Sequence, residues 1–161
     1  MAKRPGRLRR ALRVPRSVPP REWPGVLVAL GVAIGVEVGL RTMTLPRLAR
    51  IVGAPLHTEG GEMPLMDASK PPALSPRARR QVRATRRVMR HWPFGDTCLR
   101  QALVSGQRLR RLDPTLWVGV AKLDGQIKAH AWLEIDGGCL DPLGGAASYL
   151  GLESVRRGSS S

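Results

Sequence analysis

The sequence predicts an α+β fold, and two observations carry the prediction. Up to Leu112 the apolar residues recur at three- and four-residue steps, whereas from Thr115 onward they alternate with a period of two. Two Asp-Gly pairs, Asp124-Gly125 and Asp136-Gly137, then divide the alternating part into three short strands joined by tight turns. At 161 residues the chain allows one compact domain and little more.

Residues 1–21 carry eight cations, no acid, and Pro15, Pro19 and Pro20, so they read as a flexible basic arm. Residues 22–52 read as an apolar N-terminal helical region. Its run GVLVALGVAIGVEVGL, 25–40, is 16 residues long, contains Glu37, and falls short of the roughly 20 apolar residues that span a bilayer. Basic residues ahead of an apolar run also fit an export signal, but no A-x-A-like site follows. The expected location is therefore the cytoplasm, with the 25–40 segment packed in the domain or against a protein. A peripheral contact with an anionic membrane stays open.

Residues 53–75, with GAP, EGGE and KPPALSP, read as a long, mobile Pro/Gly-rich linker. A core over 76–155 follows. Ser75 can cap a helix whose first position suits Pro76, and Ala78, Val82, Thr85 and Met89 recur on one face while arginines fill the others. Pro93 ends that helix and Phe94-Gly95 forms a turn. Asp96 or Thr97 then caps a second helix that begins at Cys98, with Leu99, Ala102, Leu103, Gly106 and Leu109 as its apolar stripe. Strands are expected over 115–121, 127–135 and 138–143, and a disordered polar tail over 156–161.

The net charge of +15 is unevenly spread: residues 1–91 hold 19 basic and 5 acidic side chains, residues 92–161 hold 8 and 7. Of the 27 cations 23 are arginine, and no aromatics interleave with the arginine runs as base-stacking surfaces require. Nucleic acid is not an expected partner. Two cysteines, Cys98 and Cys139, are too few for a disulfide scaffold. Without a short C-x-x-C or H-x-x-x-H pair no metal site is expected, and without a GxxxxGK[ST] loop no nucleotide site or other cofactor.

Cys98 falls in the first turn of its helix, where unsatisfied N–H groups and the positive end of the dipole favour an anion; the same position also suits a small buried residue. His130, Trp132 and Glu134 share one face of the second strand, opposite Ala129, Ala131, Leu133 and Ile135. If Asp136-Gly137 is a two-residue turn, Ile135 pairs with Gly138. Trp132 then faces Asp141, and His130 becomes the diagonal neighbour of Asp141. That carboxylate can orient the imidazole and stabilise its protonated form while the ring takes the thiol proton, which makes Cys98, His130 and Asp141 a candidate triad. Asp136 is used in the turn, and Cys139 is expected to be inert. His57 and His91 receive no role.

The run DTCLRQALVSGQRLRRLDPTLWVGVAKLDGQIKAHAWLEIDGGCLDP, 96–142, resembles the leader peptidases of lasso-peptide biosynthesis, members of the transglutaminase-like cysteine protease superfamily. The helix opening with Cys-Leu, the WVGVA strand, the AHAW-x-E strand and the following Asp carry the resemblance. It implies a papain- or transglutaminase-like core with the nucleophile helix on a small antiparallel sheet. It further implies that Cys98, His130 and Asp141 are catalytic and that the backbone N–H of Cys98 serves the oxyanion. The implied activity is thioester-mediated removal of the leader from a ribosomally made precursor peptide. The implied partners are a separate leader-recognition protein, since no such domain precedes the core, and an ATP-dependent asparagine-synthetase-like cyclase. The segment 53–75 is longer than the family's usual connection, and SGQ at 105–107 interrupts the nucleophile helix. A non-catalytic, membrane-associated adaptor and an acyl or amide transferase on the same fold are the competing readings.

Overall fold

The computed structural model describes residues 19–57, 70–95, 97–123, 126–141, 143, 144 and 146. The expected basic arm except its end, the centre of the linker, the Asp124-Gly125 turn and the C-terminal tail lie outside the described residues.

Among the described residues helical periodicity yields four helices, α1 (Trp23–Thr42), α2 (Leu45–Val52), α3 (Pro76–Met89) and α4 (Cys98–Leu109). Single-turn 3₁₀ segments precede α1 at Pro20–Glu22 and follow α4 at Arg110–Leu112. Capping follows the side-chain chemistry read from the sequence. The Ser75 hydroxyl accepts the Ala78 N–H at 3.2 Å, and the Thr97 hydroxyl accepts that of Arg100 at 3.4 Å. Ala78, Val82, Thr85 and Met89 are buried, as their spacing predicts, together with Ala84 and Val88.

In α4 burial is continuous from Gln101 to Gly106, so the helix is covered all round rather than along one stripe. It touches α1, α2, α3, β1 and β2, which makes it the hub of the fold. The SGQ triplet does not interrupt it. Gly106 is where the Ala54 side chain comes close: a Cβ there would stand 2.6 Å from that of Ala54. The residue is small because two chain segments meet at that point.

The strands β1 (Thr115–Leu123), β2 (Gln126–Ile135) and β3 (Gly138–Leu140) form one antiparallel sheet in the order β1-β2-β3. Asp136 (φ 50°) and Gly137 (φ 71°) both adopt positive φ, the requirement of a two-residue turn matched to strand twist. Ile135 accordingly pairs with Gly138, Glu134 with Cys139 and Leu133 with Leu140. The third strand is shorter than the expected 138–143. It stops at Leu140, because the Asp141 carboxylate accepts the N–H groups of Leu143 and Ala146 and turns the chain out of the ladder.

The structure adds detail to two expectations. The ends of the 53–75 segment are not a free linker. Leu56 bridges Leu116 in parallel, His57 donates its N–H to Leu116, and Lys70 accepts the N–H of Cys139, so the segment is fastened to both edges of the sheet. The apolar run 25–40 lies within a 20-residue helix, long and apolar enough to cross a bilayer by those criteria. One face of it, with Val26, Ala29, Ala33 and Val36, is nevertheless buried in the same core as Leu103, Leu116 and Leu133.

Candidate active site

The register set by the Asp136-Gly137 turn has a chemical consequence two residues beyond β3. His130 Nε2 lies 2.8 Å from Asp141 Oδ2, with both side chains over nine-tenths buried. Burial works to raise the Asp141 carboxyl, but it is overcome by the N–H of Ala146, the ring of His130 and its charge, and the N–H of Leu143. The group is held below the ordinary carboxylate range. An ionised carboxylate only accepts, so the hydrogen between the two belongs to Nε2. The neutral ring therefore keeps its lone pair on Nδ1, the atom that can take a proton from another group.

Neighbours on the same sheet face hold the ring. Trp132 stacks between His130 and Trp117, with centroids 6.0 and 6.4 Å away, and His57 stacks on Trp117 at 3.8 Å. The Trp117 indole N–H donates to Glu134 at 2.9 Å. The β1–β2 register places Trp117 beside Trp132 and Gly119 beside His130, so the residue across from the imidazole contributes no side chain. Trp132 is 2% exposed and His130 8%. The face opposite Ala131, Leu133 and Ile135 is thus covered as well, since the aromatic stack shields it. The roles of His57, Trp117 and Glu134 are not legible in the sequence. The alternation placed Trp132 and Glu134 beside His130, but nothing local signals that residue 57 returns to the sheet.

Cys98 is the first residue of α4, half-buried, at the end of a helix packed on the strand that carries His130. Of the three predicted residues the structure joins His130 and Asp141 directly and sets Cys98 on the adjoining helix end. The first turn of α4 is tied down by Glu37, which is buried in α1. Arg100 Nε lies 2.8 Å from Glu37 Oε2, Arg41 Nη2 lies 2.9 Å from Oε1, and the Trp92 indole lies 3.4 Å from Oε2. The Arg100 hydrogen bond dominates the opposing burial and, with Trp92 and the two arginine charges, holds the Glu37 carboxyl low. In the sequence Glu37 is only the blemish in an apolar run; its isolation there is the one signal that it is partnered.

Cys139 is buried on the same face as Glu134. Burial, and then the charges of Asp141 and Glu134, push its thiol up to about 12, which leaves it protonated and unreactive at neutral pH. Asp136 is exposed in the turn. Among the described residues no group of three or more His, Cys, Asp or Glu side chains is arranged to hold a metal ion.

A hydrogen-bonded pair of a strand imidazole and a carboxylate just past the sheet, with a cysteine heading the helix packed against that strand, can support acyl transfer through a thioester. No match to a curated protein or to a solved structure was found. The sequence model of the transglutaminase-like superfamily matches residues 41–155, more than half of the chain, and with the α+β architecture around α4 and the sheet it places this protein in the transglutaminase-like superfamily.

Proposed function

We propose that this protein is a cysteine peptidase that removes the leader from a ribosomally made precursor during lasso-peptide biosynthesis. The observation that carries the reading is the 2.8 Å contact between His130 Nε2 and Asp141 Oδ2, because it fixes the tautomer that a thiol–imidazole mechanism needs. Superfamily membership supports the chemistry, and the AHAW-x-E strand and Cys-Leu helix start support the substrate class.

In this mechanism His130 Nδ1 takes the Cys98 thiol proton and Asp141 stabilises the imidazolium. The thiolate attacks the amide joining leader to core, and the backbone N–H of Cys98 stabilises the oxyanion at the helix end. The imidazolium gives its proton to the leaving amine, freeing the core peptide. Water, deprotonated by His130, then hydrolyses the leader thioester. A separate recognition protein delivers the leader, and an ATP-dependent cyclase consumes the released amino terminus.

Mass spectrometry of the precursor after incubation with protein and recognition partner tests the reading. Free core with a hydrolysed leader is expected from the native chain, and intact precursor from Cys98→Ala. Full processing by Cys98→Ala would refute it. Superfamily membership also favours a second reading, transfer of the thioester acyl group to an amine, which the same spectra reveal as a leader–amine amide.

A further inference from the structure

Among the described residues, one side of α1 faces no other element. Leu27, Leu30, Ile34 and Val38 recur at three- and four-residue steps, which stacks them in one stripe about 17 Å long, and each is 39–57% exposed. The stripe is wholly aliphatic, with Gly31 and Gly35 between its members. Its opposite side, with Val26, Ala29, Ala33 and Val36, is sealed into the core, and Glu37 is clamped by Arg100. The helix therefore cannot surround itself with lipid, but it can lie along a surface.

Cationic hollows lie beside α1 toward both of its ends. At the N-terminal end two adjoining hollows of about 410 and 580 Å³ share Val28, Arg77, Gln81 and Arg108, and between them are also lined by Arg21, Arg80, Arg110 and Arg111. The acid on their walls, Glu22, is already paired with Arg87. Arg108 Nε is buried without a hydrogen-bond partner. Burial, and then the nearby Arg77 charge, weakens the hold of Arg108 on its proton, so these cations crowd together without a matching anion among the described residues. At the C-terminal end a hollow of about 1120 Å³ is lined by Arg41, Arg90 and Arg100, where Glu37 is the acid and is engaged by two of them. Arg41 also lies over the Phe94 ring at 4.4 Å.

We propose that the exposed side of α1 docks in the plane of an anionic bilayer, with the aliphatic stripe at the level of the upper acyl chains and the arginines at either end among the headgroup phosphates. An aliphatic stripe between cations is the pattern of interfacial helices, in which apolar burial and attraction to anionic lipid add. A protein partner is the poorer fit, since the stripe offers none of the aromatic anchors on which protein interfaces centre. The matched superfamily region begins at Arg41, so the stripe lies outside the part of the chain that carries the proposed chemistry.

Sedimentation of the full chain with phosphatidylglycerol–phosphatidylcholine vesicles, and with phosphatidylcholine vesicles alone, tests this. Binding is expected to the anionic vesicles only and to decline with added salt. Ile34→Asp, and separately Arg77→Glu with Arg80→Glu, should each weaken it at least about tenfold with the circular dichroism unchanged, while Lys128→Glu on the sheet should not. Three results would overturn the proposal. They are no sedimentation with anionic vesicles, equal loss with Lys128→Glu, and a soluble dimer or acidic-protein complex that Ile34→Asp dissolves while vesicles are ignored.

Discussion

Glu37 in α1 and Arg100 in α4 meet through two contacts, Nε to Oε2 at 2.8 Å and Nη2 to Oε1 at 3.3 Å. A planar guanidinium and a carboxylate facing each other in this way fix orientation as well as distance. The pair thereby sets the first turn of the helix that starts at Cys98. Replacing Glu37 with Gln leaves Arg100 beside a neutral amide and is expected to cost about 2–3 kcal/mol in a urea titration. A loss below about 0.5 kcal/mol would show that the clamp does not hold the helix.

Acid should act on the same group and on Asp141. Both carboxyls sit below their ordinary values of 4.5 and 3.8 in the folded chain, which therefore binds fewer protons than the unfolded chain across that range. Their stabilisation is complete above pH 4.5 and is lost as the pH falls through the lower folded-state values. A plot of urea midpoint against pH should decline below that point, and Glu37→Gln should flatten the decline. An unchanged acid limb in the variant contradicts the assignment.

Asp141→Asn removes the charge beside His130 and leaves one amide oxygen where the ring, Leu143 and Ala146 all require an acceptor. The expected loss of precursor cleavage is roughly a hundredfold or more, with little change in binding of the precursor. Cleavage within a fewfold of the native rate would remove Asp141 from the mechanism.

The two cysteines should separate chemically. Cys139 is buried and its thiol is pushed up to about 12, while Cys98 is half-buried at a helix end. Iodoacetamide at neutral pH is expected to add one carbamidomethyl group to the native chain and none to Cys98→Ala. Two adducts on the folded native protein would show Cys139 to be open to solvent.

Gly106→Ala tests the hub. Its methyl would fall 2.6 Å from the Ala54 Cβ, and both groups lie in the packed core, so the variant is expected to lose about 1–3 kcal/mol despite the better helix propensity of alanine. A gain in stability would mean that the segment carrying Ala54 can move away from α4 without loss.

The imidazole–carboxylate contact was legible in the sequence because each step to it is local. Asp136-Gly137 demands a two-residue turn, the turn sets the Ile135–Gly138 pairing, and the period of two then brings His130 and Asp141 onto one face. The start of α4 was legible for the same reason, from Thr97 and the apolar spacing after Cys98. The Glu37–Arg100 contact spans 63 positions and the return of residues 55–57 to β1 about 60, and no local pattern encodes partners that far apart. The short β3 was missed because competition between a side-chain carboxylate and the ladder for backbone N–H groups leaves no trace in alternation.

The fastening of residues 55–57 and 70 to the flanks of the sheet reaches beyond the site. At Leu116 and Cys139 the outward amides are already engaged, so a neighbouring molecule finds no template there on which to lay a strand. A three-stranded ribbon is ordinarily prone to stacking into fibres; this one carries its own hem, stitched from the chain that precedes it.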